Sequence, residues 1–189
     1  MWGKPPPFRQ AQGRPSAVRP IACWLCLLNT DRLNLLKAWI AAILWLIVIA
    51  IESTNLASAT NTSRILYPLL HFIFGLDRAH FGQWHFFIRK GGHVVGYAIL
   101  SILLFRAWRA TLPAMRNVGW TLRWATIAIL GTAFVASLDE WHQSFIPSRT
   151  GRWQDVVLDS CAGIAAQILI FLWWKSLEKS TASSRAASA

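Results

Sequence analysis

Four apolar runs, separated by polar and basic segments, dominate the pattern along the chain. They cover residues 35–51, 94–108, 124–138 and 156–174. A helix needs about 20 largely apolar residues to cross a bilayer. The second and third runs are shorter than this, so polar residues at their ends must complete each helix. The pattern predicts an all-α membrane protein, built as a bundle of four transmembrane helices.

The remaining segments complete a three-part organisation. Residues 1–34 contain a run of prolines, scattered arginines and little apolar periodicity, which is typical of a basic, flexible segment. Residues 35–175 form the predicted transmembrane domain, and residues 176–189 form a polar tail.

The long connection between the first two runs holds a further apolar stretch, residues 65–76, which Pro68, His71 and Gly75 interrupt. Backbone groups exposed to hydrocarbon need partners within the protein, so an interrupted stretch is a poor span. We therefore expect an interfacial or re-entrant helix in this first outer loop.

The composition favours a bilayer over water as the surrounding medium. Hydrophobic residues make up 54% of the 189 positions, charged residues only 14%, and the mean hydropathy is +0.38. A single soluble core of this length is seldom so apolar. The net charge of +11 would suit nucleic acid, but the basic residues flank apolar runs instead of forming a stripe with interleaved aromatics. The expected partner is the lipid bilayer, and no nucleic acid.

The basic residues also predict an orientation, because connections rich in Lys and Arg stay on the cytoplasmic side of a membrane. With both termini cytoplasmic, that side holds thirteen of the 19 basic residues and two acids, whereas the outer side receives six of each. We expect a multi-pass protein of the cytoplasmic (inner) membrane. The thirteen are Lys4, Arg9, Arg14, Arg19, Arg32, Lys37, Arg106, Arg109, Arg116, Arg123, Lys175, Lys179 and Arg185.

This orientation gathers ionisable residues from separate spans at one outer site. Lys90, His93 and Tyr97 stand at i, i+3 and i+7, so they share one helix face. Asp155 and Asp159, at i and i+4, share another. The predicted site comprises Glu52, Lys90, His93, Tyr97, Asp139, Glu140, His142, Gln143, Arg149, Arg152, Asp155 and Asp159.

The free-energy cost of placing charge in a membrane is the reason why this cluster matters. An ionised side chain near the bilayer centre costs roughly 2.5 to 3.5 kcal/mol on insertion scales, so such residues face a partner or a wet cavity. Asp159 lies a full turn inside the fourth run, and we expect Lys90 or Arg149 to pair with it. The same groups also suit an ion-pair network that only locks helix ends together.

Two stretches of these polar residues resemble the VanZ-like family of membrane proteins, named for a protein linked to low-level resistance to the glycopeptide teicoplanin. One is Arg89-Lys90-Gly91-Gly92-His93-Val94-Val95-Gly96-Tyr97, and the other is DEWHQSFIPSRTGRWQDVVLDSCAG at 139–163. The resemblance covers about residues 35–175. Gly96 departs from it where members often carry an acid, and Ser148 where they often carry glycine. The resemblance implies a cell-envelope protein tied to resistance, without a defined reaction.

Our leading hypothesis is that the outer site binds an anionic, lipid-linked or cell-envelope molecule. Basic side chains would hold phosphate or carboxylate, and a histidine oriented by an aspartate would donate or accept protons. The ligand-binding residues of this hypothesis are Lys90, Tyr97, Gln143, Arg149, Arg152 and Asp159. Its catalytic residues are His93, Asp139, Glu140, His142 and Asp155, with Asp139 or Asp155 orienting the histidine.

Several alternatives stay open beside this hypothesis. No complete catalytic signature is present, such as a Gly-x-Ser-x-Gly elbow or a His-Glu-x-x-His zinc helix, so binding with and without turnover both fit the residues. The same groups suit a proton relay or transporter, which would need an oligomer, or a structural envelope protein. Asp139, Glu140, Asp155 and Asp159 also provide oxygen ligands for a divalent cation.

The orientation is tested by cysteine accessibility. In a chain whose native cysteines are replaced by serine, Thr150→Cys should react with an impermeant maleimide added outside intact cells, because the connection before the fourth run faces outward. Labelling of position 150 only after the cytoplasm is opened would contradict the orientation.

Overall fold

The structure, a computed structural model, describes residues 21–55, 58–111, 120–147, 149 and 151–187. This part of the chain contains five helices and no strand. The helices are α1 (Ile21–Ser53), α2 (Ala59–Phe74), α3 (Arg78–Thr111), α4 (Leu122–Gln143) and α5 (Trp153–Ala187).

Four of these helices are long and apolar enough to cross a membrane. The candidate spans are Arg32–Ser53, Arg78–Thr111, Leu122–Gln143 and Trp153–Arg185. Large apolar side chains cover their outer faces; for example, 64% of the Leu130 surface is exposed. A surface of this kind is stable against lipid chains but not against water. The predicted four-helix, all-α membrane bundle is therefore confirmed, whereas its orientation stays a prediction.

The chain divides into two compact units, 1–33 and 34–189. In the first unit, the described residues form the beginning of α1, so residues 21–33 are helical although the sequence predicted flexibility there. Residues 1–20 of the predicted flexible segment lie outside the described residues. The second unit contains the helical bundle. Its α5 continues to Ala187, so most of the predicted polar tail is helical.

Helix α3 begins sixteen residues before the apolar run that predicted it, at Arg78 instead of position 94. Asp77 precedes its first turn, and the Asp77 carboxylate accepts a hydrogen bond from the His80 backbone N–H (2.9 Å). This contact lowers the pKa of the Asp77 carboxyl below its ordinary value and satisfies a backbone donor that the helix cannot pair. Helical structure therefore reaches well into the predicted outer loop.

Helix α2 is the element predicted in that loop, and its ends carry clear signals. The Ser58 hydroxyl accepts from the Asn61 N–H, and Gly75 closes the helix in the left-handed region (φ 63°). A side chain at position 75 would be strained there, which favours glycine. The helix packs along the first half of α3 through the Tyr67 and Phe81 rings, whose centroids lie 5.1 Å apart. Its depth in a bilayer stays a prediction.

The core of the bundle lies where α3, α4 and α5 meet. It is filled by Leu100, Leu104 and Phe105 together with small residues such as Ala128 and Ala136. Small residues let membrane helices approach closely, which increases their van der Waals contact.

A buried polar contact lies in the same region. The Ser101 hydroxyl donates to the Gly163 carbonyl (3.1 Å), and the Gln167 amide donates to the Ser101 hydroxyl (2.9 Å). Since lipid offers these groups no partner, the contact fixes the register of α3 against α5.

Helix α1 is attached to the bundle by tryptophan N–H groups. The Trp45 indole donates to the Gly96 carbonyl (2.8 Å), and the Trp39 indole donates to the Thr111 hydroxyl (3.1 Å). Each bond satisfies an indole donor that lipid chains would leave unpaired. One bond lies at the middle of α3 and the other at its end, so together they align α1 along the second half of α3.

The close approach of α4 and α5 leads to a stability prediction. A Cβ atom added at Gly163 would lie 3.0 Å from the Thr132 methyl group, whereas Gly92 has nothing within 4 Å of that position. Gly163→Val should lower the free energy of unfolding by about 1 to 3 kcal/mol through overpacking. Gly92→Val, the matched control, should stay near the wild-type value in the same detergent-unfolding titration. Equal stability of the two variants would contradict this packing.

Candidate functional site

A cavity of about 390 Å³ lies at the end of the bundle where α3 begins and α4 ends. The first half of α3 forms one wall, and the start of α2, the end of α4 and the start of α5 form the others. Its lining residues are Ala59, Gly82, His85, Phe86, Arg89, Lys90, His93, Gln143, Arg149, Arg152 and Asp155.

One face of α3 supplies more than half of this lining, because its residues recur every three or four positions. The sequence predicted Lys90 and His93 on this face but missed His85 and Arg89. The missing signal was present: the spacing of Lys90, His93 and Tyr97 continues back to Gly82 at helical intervals. The sequence interpretation extended the second span back only to Lys90 and therefore treated His85 and Arg89 as loop. The α3 lining consists of Gly82, His85, Phe86, Arg89, Lys90 and His93.

An ion pair joins α3 to the first turn of α5 across the cavity. The Lys90 ammonium contacts the Asp155 carboxylate, and both side chains are largely buried. The Lys90 ammonium also lies 5.9 Å from the centre of the Phe86 ring. A charge that is shielded from water is stable only when it is paired. Removal of either partner would therefore leave the other as an uncompensated buried charge.

One turn deeper, His93 contacts Asp159. The His93 Nδ1 lies 3.4 Å from the Asp159 Oδ2, and the Asp159 side chain is 1% exposed. The expectation that Lys90 or Arg149 pairs with Asp159 was wrong, because Lys90 lies level with Asp155 and Arg149 lies on the connection beyond α4. The prediction that Asp139 or Asp155 orients the ring of His93 or His142 was also wrong, since Asp159 contacts His93 and the Ser53 hydroxyl contacts His142.

The phenol of Tyr97 anchors the third acid of the site. Its hydroxyl donates to Asp139 Oδ2 (2.8 Å), and both residues are buried. The His93 ring stacks on the Tyr97 ring with 6.2 Å between centroids and 19° between planes. Tyr97 and Asp139 thus lie behind His93 and do not line the cavity.

Glu140 shapes the connection between α4 and α5. Its carboxylate accepts from the Arg152 backbone N–H (2.8 Å). Gly151 passes so close that an added Cβ atom would lie 2.3 Å from the Glu140 carbonyl oxygen. Only glycine fits there without moving the backbone. The observed contact of Glu140 is therefore with this connection, and Glu140 is absent from the cavity lining.

Arg149 ties the α4–α5 connection to the end of α1. Its guanidinium donates to the backbone carbonyls of Glu52 and Thr54, the latter at 3.0 Å. The last carbonyls of a helix lack partners within it and carry partial negative charge, so a cation is well placed there. Burial and the nearby Arg89 guanidinium lower the pKa of Arg149 from its ordinary value.

His142 lies apart from the cavity. Its side chain is exposed, and Nδ1 lies 3.1 Å from the Ser53 hydroxyl at the end of α1. Gln143, the next residue, is buried and lines the cavity. Glu52 borders a separate crevice of about 10 Å³ beside His93, which is room for about one water molecule.

Several buried polar atoms of the site have no hydrogen-bond partner in the described part of the chain. Nearly all buried polar groups in proteins are paired, so unpaired ones cluster where a proton, water or ligand completes them. Three of the predicted acids and one lining amide are among them. In the site these atoms are Asp139 Oδ1, Glu140 Oε1, Gln143 Nε2, Arg149 Nε and Asp159 Oδ1.

The four acids do not form a shared cation site. Asp155 pairs with Lys90, and each of the other three carboxylates contacts a different donor. Within the described ranges, no three His, Cys, Asp or Glu side chains are arranged to hold a metal ion. The geometry therefore does not support the divalent-cation alternative for Asp139, Glu140, Asp155 and Asp159.

Comparison with known families identifies the family of the chain. The model of the family described as VanZ/LLP1 matches residues 38–175, which is most of the chain. The chain belongs to the VanZ/LLP1 family. The matched region includes every residue that lines the cavity. No curated protein matches the chain. No solved structure matches it either.

The two departures from the VanZ-like pattern have different outcomes. Gly96 is buried, and its carbonyl accepts the Trp45 indole N–H, so this position attaches α1. Because glycine has no carboxylate, position 96 of this chain cannot perform a role that needs one. Ser148, the second departure, lies outside the described residues.

The position of Arg149 predicts a structural effect that is independent of any ligand. Arg149→Gln should lower the free energy of unfolding by about 1.5 to 3 kcal/mol, because the carbonyls of Glu52 and Thr54 lose a charged donor. Hydrogen exchange of residues 50–55 should rise in the same variant. Arg106→Gln, which changes an exposed arginine of α3, is the control. Unchanged exchange at the end of α1 would contradict the anchoring role.

Proposed function

We propose that this VanZ/LLP1 membrane protein binds an anionic, lipid-linked or cell-envelope molecule through a phosphate or carboxylate group in the cavity. The observation that carries the proposal is a pair of arginines on the cavity wall, Arg89 and Arg152. In the described part of the chain, neither guanidinium has an ion-pair partner. A membrane protein that only locked its helices with ion pairs would have no use for these two charges.

The charge of the lining favours an anion. Four basic side chains but only one acid, Asp155, line the cavity, and Lys90 already pairs with that acid. Arg149 is engaged by the end of α1. Arg89 and Arg152 therefore supply the excess positive charge. A guanidinium offers parallel N–H donors that match phosphate or carboxylate oxygens, and such charged bonds are stronger where water is scarce.

The surroundings of the cavity favour an amphipathic ligand. Trp84, Phe87 and Ile88 lie on the face of α3 that points away from the cavity lining and are 56%, 65% and 41% exposed. The neighbouring α2 exposes Leu69 and Phe72. Lipid chains would cover this apolar surface, so an anionic headgroup in the cavity would keep its hydrocarbon chain in the surrounding bilayer. A lipid-linked molecule satisfies both environments at once.

The wider biological role is part of the same proposal. If the orientation predicted from the basic residues holds, the cavity faces the outside, where envelope precursors and glycopeptides meet. A link to glycopeptide (teicoplanin) resistance follows from the family resemblance together with such a ligand.

The proposal is tested by binding of dioleoyl phosphatidic acid to the purified protein in phosphatidylcholine nanodiscs, measured by native mass spectrometry. Arg89→Gln and Arg152→Gln should each weaken binding by about tenfold to 100-fold, since each removes a charged hydrogen bond of about 1.5 to 3 kcal/mol. Arg106→Gln, about 25 Å farther along α3, should bind like the wild type.

Two results would contradict the proposal. One is wild-type binding of phosphatidic acid no tighter than that of phosphatidylcholine. The other is normal phosphatidic acid binding by the double variant of Arg89 and Arg152. Thermal unfolding of each variant in the same nanodiscs separates loss of binding from loss of fold.

A further inference from the structure

We propose that the protein is a phosphatase for lipid phosphomonoesters, in which His93 is the nucleophile and Asp159 positions it. This inference rests on the proposed anion binding and adds a substrate class and a reaction to it. Histidine nitrogen is an established type of covalent nucleophile in enzymes. The argument uses the geometry of His93, the groups behind it and the charges beside it.

The two ring nitrogens of His93 have different surroundings. Nδ1 contacts the buried Asp159 carboxylate, which favours a proton on that nitrogen. The lone pair then lies on Nε2, which has no protein partner among the described residues. His93 lines the cavity, so its ring is accessible to a bound molecule. A carboxylate behind a histidine in this way also stabilises the positive charge that the ring gains during reaction.

The groups behind His93 restrain its ring. The Tyr97 ring stacks on it, and the Tyr97 hydroxyl is held by Asp139. Asp159 is buried in α5 and is fixed by packing. A nucleophile that is already oriented avoids much of the entropy cost of reaching the reacting atom.

His93 is the best nucleophile that the described lining offers. That part of the lining contains no hydroxyl or thiol side chain. Asp155 is paired with Lys90, and His85 lies about 12 Å away along α3 with its Nε2 at 2.9 Å from the Thr62 hydroxyl. We therefore assign the nucleophilic role in a covalent step to His93.

The charges beside His93 match a phosphomonoester. Its terminal phosphate carries nearly two negative charges, and Arg89 and Arg152 provide two guanidinium groups without ion-pair partners in the described chain. Arg89 precedes His93 by four residues, so both side chains project from the same face of α3. A phosphate held by Arg89 would lie within reach of the His93 ring.

The reaction consumes one water molecule and leaves all charges balanced. His93 Nε2 attacks phosphorus, a P–N bond forms, the P–O bond to the lipid breaks, and the lipid alkoxide takes a proton from water. A second water then attacks the phosphohistidine, the P–N bond breaks and inorganic phosphate leaves. The hydroxide and proton released in the two steps combine, so the sum is lipid phosphate plus water giving lipid alcohol and phosphate.

The test uses the purified full chain in phosphatidylcholine nanodiscs with radiolabelled phosphatidic acid. The wild type should release inorganic phosphate and, when quenched in alkaline detergent, carry a protein-bound label that is stable to alkali and lost in acid. His93→Gln should abolish both signals while it still binds phosphatidic acid. His80→Gln, which changes an exposed histidine of α3 outside the cavity lining, should retain both.

Two further variants separate chemistry from structure. Imidazole added to His93→Gly should restore phosphate release, because the free ring can occupy the vacated space. Asp159→Asn should lower kcat by about tenfold or more with little change in KM, since Asp159 acts through His93 and not on the ligand. A matching fall in binding would instead indicate a purely structural role for Asp159.

The outcomes distinguish this inference from the proposed function. Binding of phosphatidic acid without phosphate release by the wild type would overturn the phosphatase and leave the binding function intact. Phosphate release without an acid-labile label, or an unchanged label in His93→Gln, would overturn His93 as the nucleophile. Absence of specific binding would overturn the proposed function itself.

Discussion

The structure depends on one constraint, which is that charge inside a membrane protein is costly unless it is paired, and here the partners lie on other helices. Lys90 with Asp155, His93 with Asp159 and Tyr97 with Asp139 each join two helices. An unpaired charge facing lipid would cost several kcal/mol, so these contacts and the bundle geometry specify each other. The cavity lies among these pairs because they hold the helix ends together without filling the space between them.

The sequence predicted the coarse fold well for a simple reason. Hydrophobic length is a direct requirement of the bilayer, so four apolar runs correspond to four candidate spans. Helix ends were less predictable, because the start of α3 at Arg78 depends on the Asp77 cap and on packing of Tyr67 against Phe81. Neither contact is visible in a hydropathy pattern.

Within the site, sequence spacing identified which residues meet but not which atoms pair. Helical periodicity placed Lys90, His93 and Tyr97 on one face, as the structure has them. Which atoms pair depends on the position of each residue along the bundle axis. That position depends on the axial offset between α3 and α5, which the spacing within one helix does not give. The contact of Arg149 with the end of α1 was not predicted because it crosses nearly a hundred positions of sequence.

That long-range contact has a consequence for biosynthesis. Helix α1 leaves the ribosome first, yet the residue that neutralises its terminal carbonyls is synthesised only after α4. Membrane helices insert singly and associate afterwards. Helix α1 must therefore wait in the lipid with its final turn uncapped until α4 has inserted and the α4–α5 connection has been synthesised. Closure of the bundle around the cavity is thus a late event in assembly, set by the arrival of one arginine.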